Sequence, residues 1–261
     1  MELEVISVGK DVQEKIKIIN KKYIFEKGSR FSRIVFFVKK FEEIDEILKK
    51  IDKLLSEDFQ ILNTSIVSEK DSAVISSGYK ISFLGLEEKR EPEPKEIVLK
   101  RGLAFGGFHP TTIMCLELIS KVIPKRTCGR VLDLGAGNGI LSIMAKVCGA
   151  KDIYAVEIDF DSCLECKENI VLNKCQKEIR LICGSEACIK GKFEVILVNI
   201  IFHTLKDILK HILDRLVKGG FLIASGFLAH DTDEFVHLLG AGTLLEKREK
   251  EGWGAILWQK E

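Results

Sequence analysis

The sequence lacks the features that would place the protein in a membrane, on a secretory route or on nucleic acid. No stretch approaches the roughly 20 consecutive apolar residues that a transmembrane helix needs. The first residues, Met1-Glu2-Leu3-Glu4, have neither the basic end nor the apolar core of a signal peptide. The 40 Lys and Arg residues are balanced by 39 Asp and Glu residues, so a strongly basic surface is absent. We therefore expect a cytoplasmic protein with no membrane segment and no strong nucleic-acid footprint.

The sequence also lacks a complete set of zinc ligands. Among its eight cysteines, Cys163 and Cys166 form a CxxC pair, but no second CxxC pair or pair of histidines accompanies it. A structural zinc site needs four ligands of these kinds. Because cysteines stay reduced outside oxidising compartments, we predict free thiols and no metal site.

The composition, with 46% hydrophobic and 30% charged residues, is that of a globular protein of one or two domains. A charged stretch that contains Pro92 and Pro94 predicts a linker at 91–95. Residues 1–90 predict a small α+β domain for substrate recognition or packing. Its expected strands are 3–8, 33–38, 74–75 and 80–84, and its expected helices are a segment around Val12, Ile16 and Ile19 and a segment at 41–55.

Residues 96–261 predict the second domain, in which strands and helices alternate as they do in a doubly wound α/β sheet. The first elements are a short strand at 96–99 and a helix that begins near Thr111 or Thr112 and ends near 123. The expected strands that follow are 131–134, 152–157, 178–183, 193–198, 220–225, 243–248 and 253–258. The expected helices between them are 138–148, 160–173, 202–216 and 230–239.

A glycine-rich turn at 135–139 follows the apolar strand 131–134, and Glu157 ends the next strand, 22 residues after Gly135. Dinucleotide sites and S-adenosylmethionine sites share this arrangement, in which the acid binds a ribose. An acid, Asp133, two residues before the first glycine favours S-adenosylmethionine, as does the lack of a P-loop Lys-Ser/Thr. In this interpretation Gly135 and Gly137 let the amino-acid part of the cofactor lie against backbone, and Glu157 accepts both ribose hydroxyls.

Two further residues belong to this predicted cofactor site. Asp133 can accept a hydrogen bond from the turn amides or face the cofactor's ammonium group. Ser185 follows the third strand and is expected at the edge of an adenine pocket, although it can equally be an ordinary turn residue.

Asn199 ends the apolar strand 193–198 and is followed by Ile200-Ile201-Phe202. A buried amide without a partner costs about 1–3 kcal/mol, so this side chain needs a bonding partner. It could hold the cofactor or orient a nitrogen nucleophile, as in the similar Asn-Pro-Pro-Tyr motif of amino-directed methyltransferases. The alternative is an asparagine that only caps the next helix.

The loop Ala104-Phe105-Gly106-Gly107-Phe108-His109-Pro110-Thr111-Thr112 combines glycines with aromatic residues ahead of a helix. Such a loop suits a flap over a ligand. His109 could accept a proton near neutral pH, or it could simply fix the turn at the start of the helix.

This loop resembles the A-F-G-T-G-x-H-P-T-T motif of ribosomal protein L11 methyltransferases, a family of class I S-adenosylmethionine-dependent enzymes. Residues 132–141, Val156 to Asp159, Val198-Asn199-Ile200 and Ser225 to Leu228 are similar to the family in order and spacing. The resemblance implies a seven-stranded methyltransferase sheet, a small amino-terminal domain that binds the ribosomal protein, and methylation of lysine or α-amino nitrogens. It also implies cofactor contacts at Gly135, Glu157 and Asn199, and it puts Phe108 at a position where the family often has a cofactor-contacting residue.

The loop is one residue shorter than the family motif, and the amino-terminal half shares only its size and α+β character. Two alternatives therefore stay open. One is a methyltransferase of the same fold that acts on another protein, RNA or a small molecule. The other is a module that binds S-adenosylmethionine without catalysis.

Overall fold

The computed structural model describes residues 2–9, 23–27, 32–37, 47, 50, 59–67, 72–84, 90–100, 108–125 and 129–261. The chain divides into two compact units, Met1–Asp71 and Ser72–Glu261. Three predictions from the sequence lie outside the described residues: the helix around Val12, most of the helix at 41–55, and the part of the glycine loop before Phe108.

The first unit contains a four-stranded antiparallel sheet in the order β2-β3-β1-β4. The strands are β1 (Glu2–Gly9), β2 (Tyr23–Lys27), β3 (Ser32–Phe37) and β4 (Phe59–Val67). Strands β1 and β3 confirm the two predictions for 3–8 and 33–38. Strands β2 and β4 were not predicted, because the apolar run of β2 is only three residues long and polar residues interrupt the apolar positions of β4. Ile34 of β3 is fully buried, and so is Ile47, which is helical as predicted.

The second unit begins with a small three-stranded sheet in the order β5-β6-β7. Its strands are β5 (Ser72–Val74), β6 (Lys80–Leu84) and β7 (Glu96–Lys100), and β7 is parallel to β6. Residues 72–84, which the sequence assigns to the first domain, thus belong to the second compact unit. The division into a recognition domain and a second domain, with a linker at 91–95, stays a prediction.

The large sheet of the second unit has seven strands in the order β10-β9-β8-β11-β12-β14-β13, and only β14 is antiparallel to its neighbours. The strands are β8 (Arg130–Leu134), β9 (Asp152–Glu157), β10 (Ile179–Cys183), β11 (Phe193–Asn199), β12 (Leu216–Leu228), β13 (Gly242–Lys250) and β14 (Trp253–Lys260). The helices are α1 (Pro110–Val122), α2 (Ile140–Val147), α3 (Phe160–Leu172), α4 (Phe202–Arg215) and α5 (Thr232–Leu239). The predicted doubly wound α/β sheet is confirmed.

Helices cover both faces of this sheet, which explains why its central strands are almost continuously apolar. Successive strand residues point to opposite faces, so Val131 packs in the core with α1, α2 and α3, whereas Leu132 packs in the core with α4 and α5. In the described part of the chain, no helix is long and apolar enough to cross a membrane.

Candidate active site

A cavity of about 520 Å³ lies at the carboxyl ends of the central parallel strands. Open α/β sheets hold their ligands at this edge, and the volume is within the usual range for small-molecule sites. Each central strand contributes residues that follow or end it. They are Leu134, Gly135 and Gly137 at the end of β8, Val156 to Ile158 at the end of β9, Gly184 to Glu186 after β10, Asn199 to Ile201 at the end of β11, and Gly226 in β12.

The turn between β8 and α2 passes so close to β11 that it has no room for a side chain at its start. Gly135 has a φ of +71°, and a Cβ atom there would lie 2.4 Å from Cγ2 of Ile200. The N–H groups of Gly135 and Ala136 both donate to the carbonyl oxygen of Val156, at 2.9 and 3.0 Å. The turn therefore exposes bare backbone to the cavity, which is what a closely bound ligand requires.

Glu157 binds two backbone segments with its two carboxylate oxygens. Oε2 accepts the N–H of Gly137 at 2.9 Å, and Oε1 accepts the N–H of Asp159 at 2.9 Å. The side chain is 9% exposed and lines the cavity. Because each oxygen has a second lone pair, the carboxylate can still accept hydroxyl groups of a ligand.

Asp133 is fully buried and is not among the residues that line the cavity. Its Oδ2 accepts the Ser142 hydroxyl of α2 at 2.6 Å, and no described group bonds to Oδ1. Burial, opposed by the hydrogen bonds from Ser142 and aided by the charge of Glu157, raises its pKa to about 7. Asp133 thus fixes α2 beneath the turn, and its predicted contact with a ligand stays a prediction.

Asn199 lines the cavity with an amide that is only half satisfied. Its Nδ2 donates to Oγ1 of Thr112 at 3.3 Å, whereas its buried Oδ1 has no partner among the described residues. The suggestion that Asn199 only caps the next helix is wrong, because Ile201 is the N-cap of α4 and no side chain bonds there. An unpartnered carbonyl oxygen at a cavity wall fits a ligand that donates an N–H.

His109 is the N-cap of α1, and Pro110 is the first helical residue. The prediction of a threonine cap is wrong, since proline favours the first helical position and leaves the cap to the residue before it. Nδ1 of His109 lies 2.7 Å from the Thr111 hydroxyl, and the ring packs edge-on to Trp253 at 5.0 Å between centroids. Burial lowers the pKa of His109, although the charge of Glu251 opposes this. His109 both fixes the turn and lines the cavity.

Phe108 and Ser185, the other predicted cofactor residues, have different surroundings. Phe108 is 37% exposed and packs edge-on to Phe83 at 5.4 Å, and it is not among the lining residues of the cavity. Ser185 lines the cavity, and its hydroxyl accepts the N–H of Ala187 at 3.3 Å. Ser185 therefore caps a short 3₁₀ turn and also lies at the predicted edge of the ligand site.

Several residues that line the cavity were not predicted as site residues, and Gly226 and Trp253 are two of them. Gly226 has a φ of +98°, and a Cβ atom there would lie 1.9 Å from the carbonyl oxygen of Ile200, so the close approach of β12 to the end of β11 requires glycine. In the sequence, the sign of this glycine is the pair Ser225-Gly226 after an apolar run. Trp253 comes from β14, which is inserted between β12 and β13. The spacing of residues in the sequence gives no sign that Trp253 reaches the cavity.

The sequence of this chain is similar to those of known proteins. A model of the ribosomal protein L11 methyltransferase family matches residues 10–261. The chain belongs to this family. The ribosomal protein L11 methyltransferase of Aquifex aeolicus is 36% identical over 229 residues, which cover 77% of this chain and 91% of the relative. The enzyme of the same name from Geobacter metallireducens is 35% identical, and the match covers 70% of this chain and 61% of that relative.

Solved structures agree with this membership. The ribosomal protein L11 methylase of Lactobacillus delbrueckii subsp. bulgaricus has a TM-score of 0.63 and 28% identity, over 72% of this chain and 99% of that one. Methanocaldococcus jannaschii Trm5 in complex with adenosine, with a TM-score of 0.53 and 18% identity over 99% of both chains, shows the fold alone. The resemblance noted in the sequence is confirmed, and the protein is an S-adenosylmethionine-dependent protein methyltransferase.

The cavity fits this cofactor on its own geometry. The turn at Gly135 lines the cavity with backbone and has no room for a Cβ atom, and Glu157 lines the same cavity. Most of the surface that lines the cavity is apolar, and Leu134, Val156 and Ile208 are among the residues that line it, as expected for a site that takes an adenosyl group.

Proposed function

We propose that this protein transfers methyl groups to lysine or α-amino nitrogens of ribosomal protein L11. The observation that carries the proposal is the buried, unpartnered Oδ1 of Asn199 at the cavity wall. This acceptor suits the N–H of an incoming amine. The names of the relatives indicate the acceptor protein, and such a substrate would place the reaction in the cytoplasm.

The residues proposed to hold the cofactor are those that line the side of the cavity formed by β8, β9 and β10. Glu157 would accept the ribose hydroxyls, the Gly135–Gly137 backbone would contact the amino-acid part, and Ser185 would border the adenine. When bound, S-adenosylmethionine supplies a methyl group on a sulfonium, so the group to be transferred is already activated. Asp133 acts on this site indirectly, by holding the start of α2.

The protein's remaining task is to align the acceptor and to keep its nitrogen unprotonated. Ile200, Ile201 and Trp253 line the cavity near Asn199 and His109, and an apolar wall lowers the pKa of an amine that enters it. The lowered pKa of His109 leaves its imidazole neutral near pH 7, where it can accept a proton directly or through water. Asn199 would then hold the neutral amine by one of its hydrogens.

Transfer of labelled methyl from S-adenosylmethionine to purified L11 tests the proposal, with total ribosomal protein and ribosomal RNA as parallel substrates. For Asn199→Ala we expect kcat to fall about 100-fold, because a misaligned nucleophile costs that much. Gln259→Ala is the matched control, since Gln259 also makes one amide hydrogen bond, to the carbonyl of Gly219, but is not among the lining residues. Its activity should match the parent protein.

The outcomes separate the alternatives. Label on several nitrogens of L11 supports the proposal, and label only on another protein or on RNA replaces the acceptor while keeping the enzyme. Binding of S-adenosylmethionine with no labelled product would favour the module without catalysis. Full activity of Asn199→Ala would remove Asn199 from the mechanism.

A further inference from the structure

Two buried asparagines, Asn169 on α3 and Asn173 at the C-cap of α3, bind the backbone of β7 in place of a neighbouring strand. Asn173 accepts the N–H of Val98 at 3.0 Å and donates to the carbonyl of Val98 at 2.6 Å. One turn earlier on α3, Oδ1 of Asn169 accepts the N–H of Lys100 at 2.9 Å. Residues four apart share a helix face, so the two side chains form a ladder along the open edge of β7.

Asn169 makes one contact that Asn173 lacks. Its Nδ2 donates to the carbonyl oxygen of Asn138 at 3.0 Å, and the Asn169 side chain is fully buried. Asn138 belongs to the glycine turn, and its own Oδ1 accepts the N–H of Ile140 at 3.2 Å. One amide group therefore joins the small sheet to the turn that borders the cavity.

The turn needs such an anchor, because the residues on both sides of Asn138 are glycines with left-handed backbone. Gly137 has a φ of +55° and Gly139 a φ of +85°. Glycine has the largest conformational freedom of any residue, so this part of the turn is the easiest to reshape. The hydrogen bond from Gly137 to Glu157 fixes one end of it, and the bond from Asn169 fixes the Asn138 carbonyl.

We propose that Asn169 is a positioning residue for cofactor binding, which holds the Gly137–Gly139 part of the turn in shape by anchoring Asn138 to β7. Asn173 secures β7 and donates to the backbone carbonyl of Asn169, but none of its described hydrogen bonds reaches the glycine turn. The proposal depends on the binding of S-adenosylmethionine and is independent of the acceptor protein, so the L11 assay and this test can fail separately.

The matched variants Asn169→Asp and Asn173→Asp test the proposal in the full chain. Each keeps the oxygen that accepts a β7 N–H and loses the amide donor. We expect Asn169→Asp to raise the Kd for S-adenosylmethionine about tenfold, the usual effect of one lost buried hydrogen bond, and Asn173→Asp to change it by less than about twofold. Calorimetric titration gives both values. Both variants should keep kcat at saturating cofactor, so the effect of Asn169→Asp appears in the KM for S-adenosylmethionine.

A pH series adds a readout that a purely structural role would not change. A buried carboxyl group has a raised pKa, and its protonated form donates one hydrogen. The Kd of Asn169→Asp relative to the parent protein should therefore recover as the pH falls, while the ratio for Asn173→Asp stays flat.

The proposal would be overturned if the two aspartate variants bound S-adenosylmethionine with the same Kd, whether that Kd equalled the parent value or was raised in both. If Asn169→Asp is unfolded at the assay temperature, Asn169→Ser and Asn173→Ser give the same comparison of Kd without burying a charge. A tenfold difference within that pair supports the proposal, and no difference overturns it.

Discussion

Glu157 accepts the backbone N–H of Gly137 at 2.9 Å, so the residue that ends β9 also fixes the turn that follows β8. Its second oxygen accepts the N–H of Asp159, which is the N-cap of α3. One carboxylate thus sets the spacing of two neighbouring strand ends at the cavity. The acid predicted from sequence as a ribose ligand has a second task, which is to shape the site before any ligand enters.

Replacing Glu157 with Gln should damage both stability and cofactor binding. The amide has one acceptor oxygen where the carboxylate has two, so one backbone N–H loses its acceptor and the other keeps only a neutral one. We expect the free energy of unfolding to fall by about 1–3 kcal/mol and the Kd for S-adenosylmethionine to rise at least about tenfold. Urea denaturation and calorimetric titration measure the two effects. The same change at Glu168, an exposed residue on α3, is the control, and equal behaviour of the two variants would contradict this role of Glu157.

Gly135→Ala should weaken cofactor binding through its clash with Ile200. An alanine there takes on a φ of +71°, which costs about 1–3 kcal/mol, and its Cβ pushes on a side chain that lines the cavity. Gly240→Ala is the matched control, because its φ is +75° but its Cβ would meet open space. Both variants should lose stability in urea denaturation, and only Gly135→Ala should lose affinity in a titration with S-adenosylmethionine.

The double variant Gly135→Ala with Ile200→Ala removes the clash and keeps the strained backbone. We expect it to regain part of the affinity that Gly135→Ala loses. If the double variant binds no better than Gly135→Ala, contact with Ile200 is not the cause of the loss.

The buried carboxyl group of Asp133 should make stability depend on pH. Its pKa is about 7 in the folded protein and 3.8 ordinarily, so between these values the folded state keeps a proton that the unfolded chain has released. The contribution to stability is therefore complete below about pH 4, falls as the pH rises and is lost above about pH 7, at about 1.4 kcal/mol for each pKa unit.

Asp133→Asn cannot ionise and should lack this dependence. The difference in the free energy of unfolding between parent and variant should therefore shift in favour of the variant from pH 4.5 to pH 7.5, as followed by urea denaturation. Ser142→Ala removes the hydrogen bonds that lower the pKa of Asp133. The pKa should then rise further, and the loss of stability with rising pH should continue above pH 7. Parallel curves for the parent protein and Asp133→Asn would exclude the raised pKa.

Local patterns were sufficient for most of the second unit. The strand 152–157 agrees with its predicted bounds, and the glycine turn joins β8 to α2 as expected, because both follow from apolar runs and glycines that are close in sequence. In the first unit β4 was missed, since its side chains alternate irregularly between apolar and polar.

The sequence by itself determined the family, the sheet and the groups that end its strands, among them Gly135, Glu157 and Asn199. Only the tertiary structure decided what each of these groups contacts. It turned Phe108 towards Phe83, brought Trp253 to the cavity and joined Asn169 to Asn138. The physical reason is range: secondary structure follows from neighbouring residues, whereas these contacts join residues up to 144 positions apart, from His109 to Trp253, that meet only when the sheet is complete.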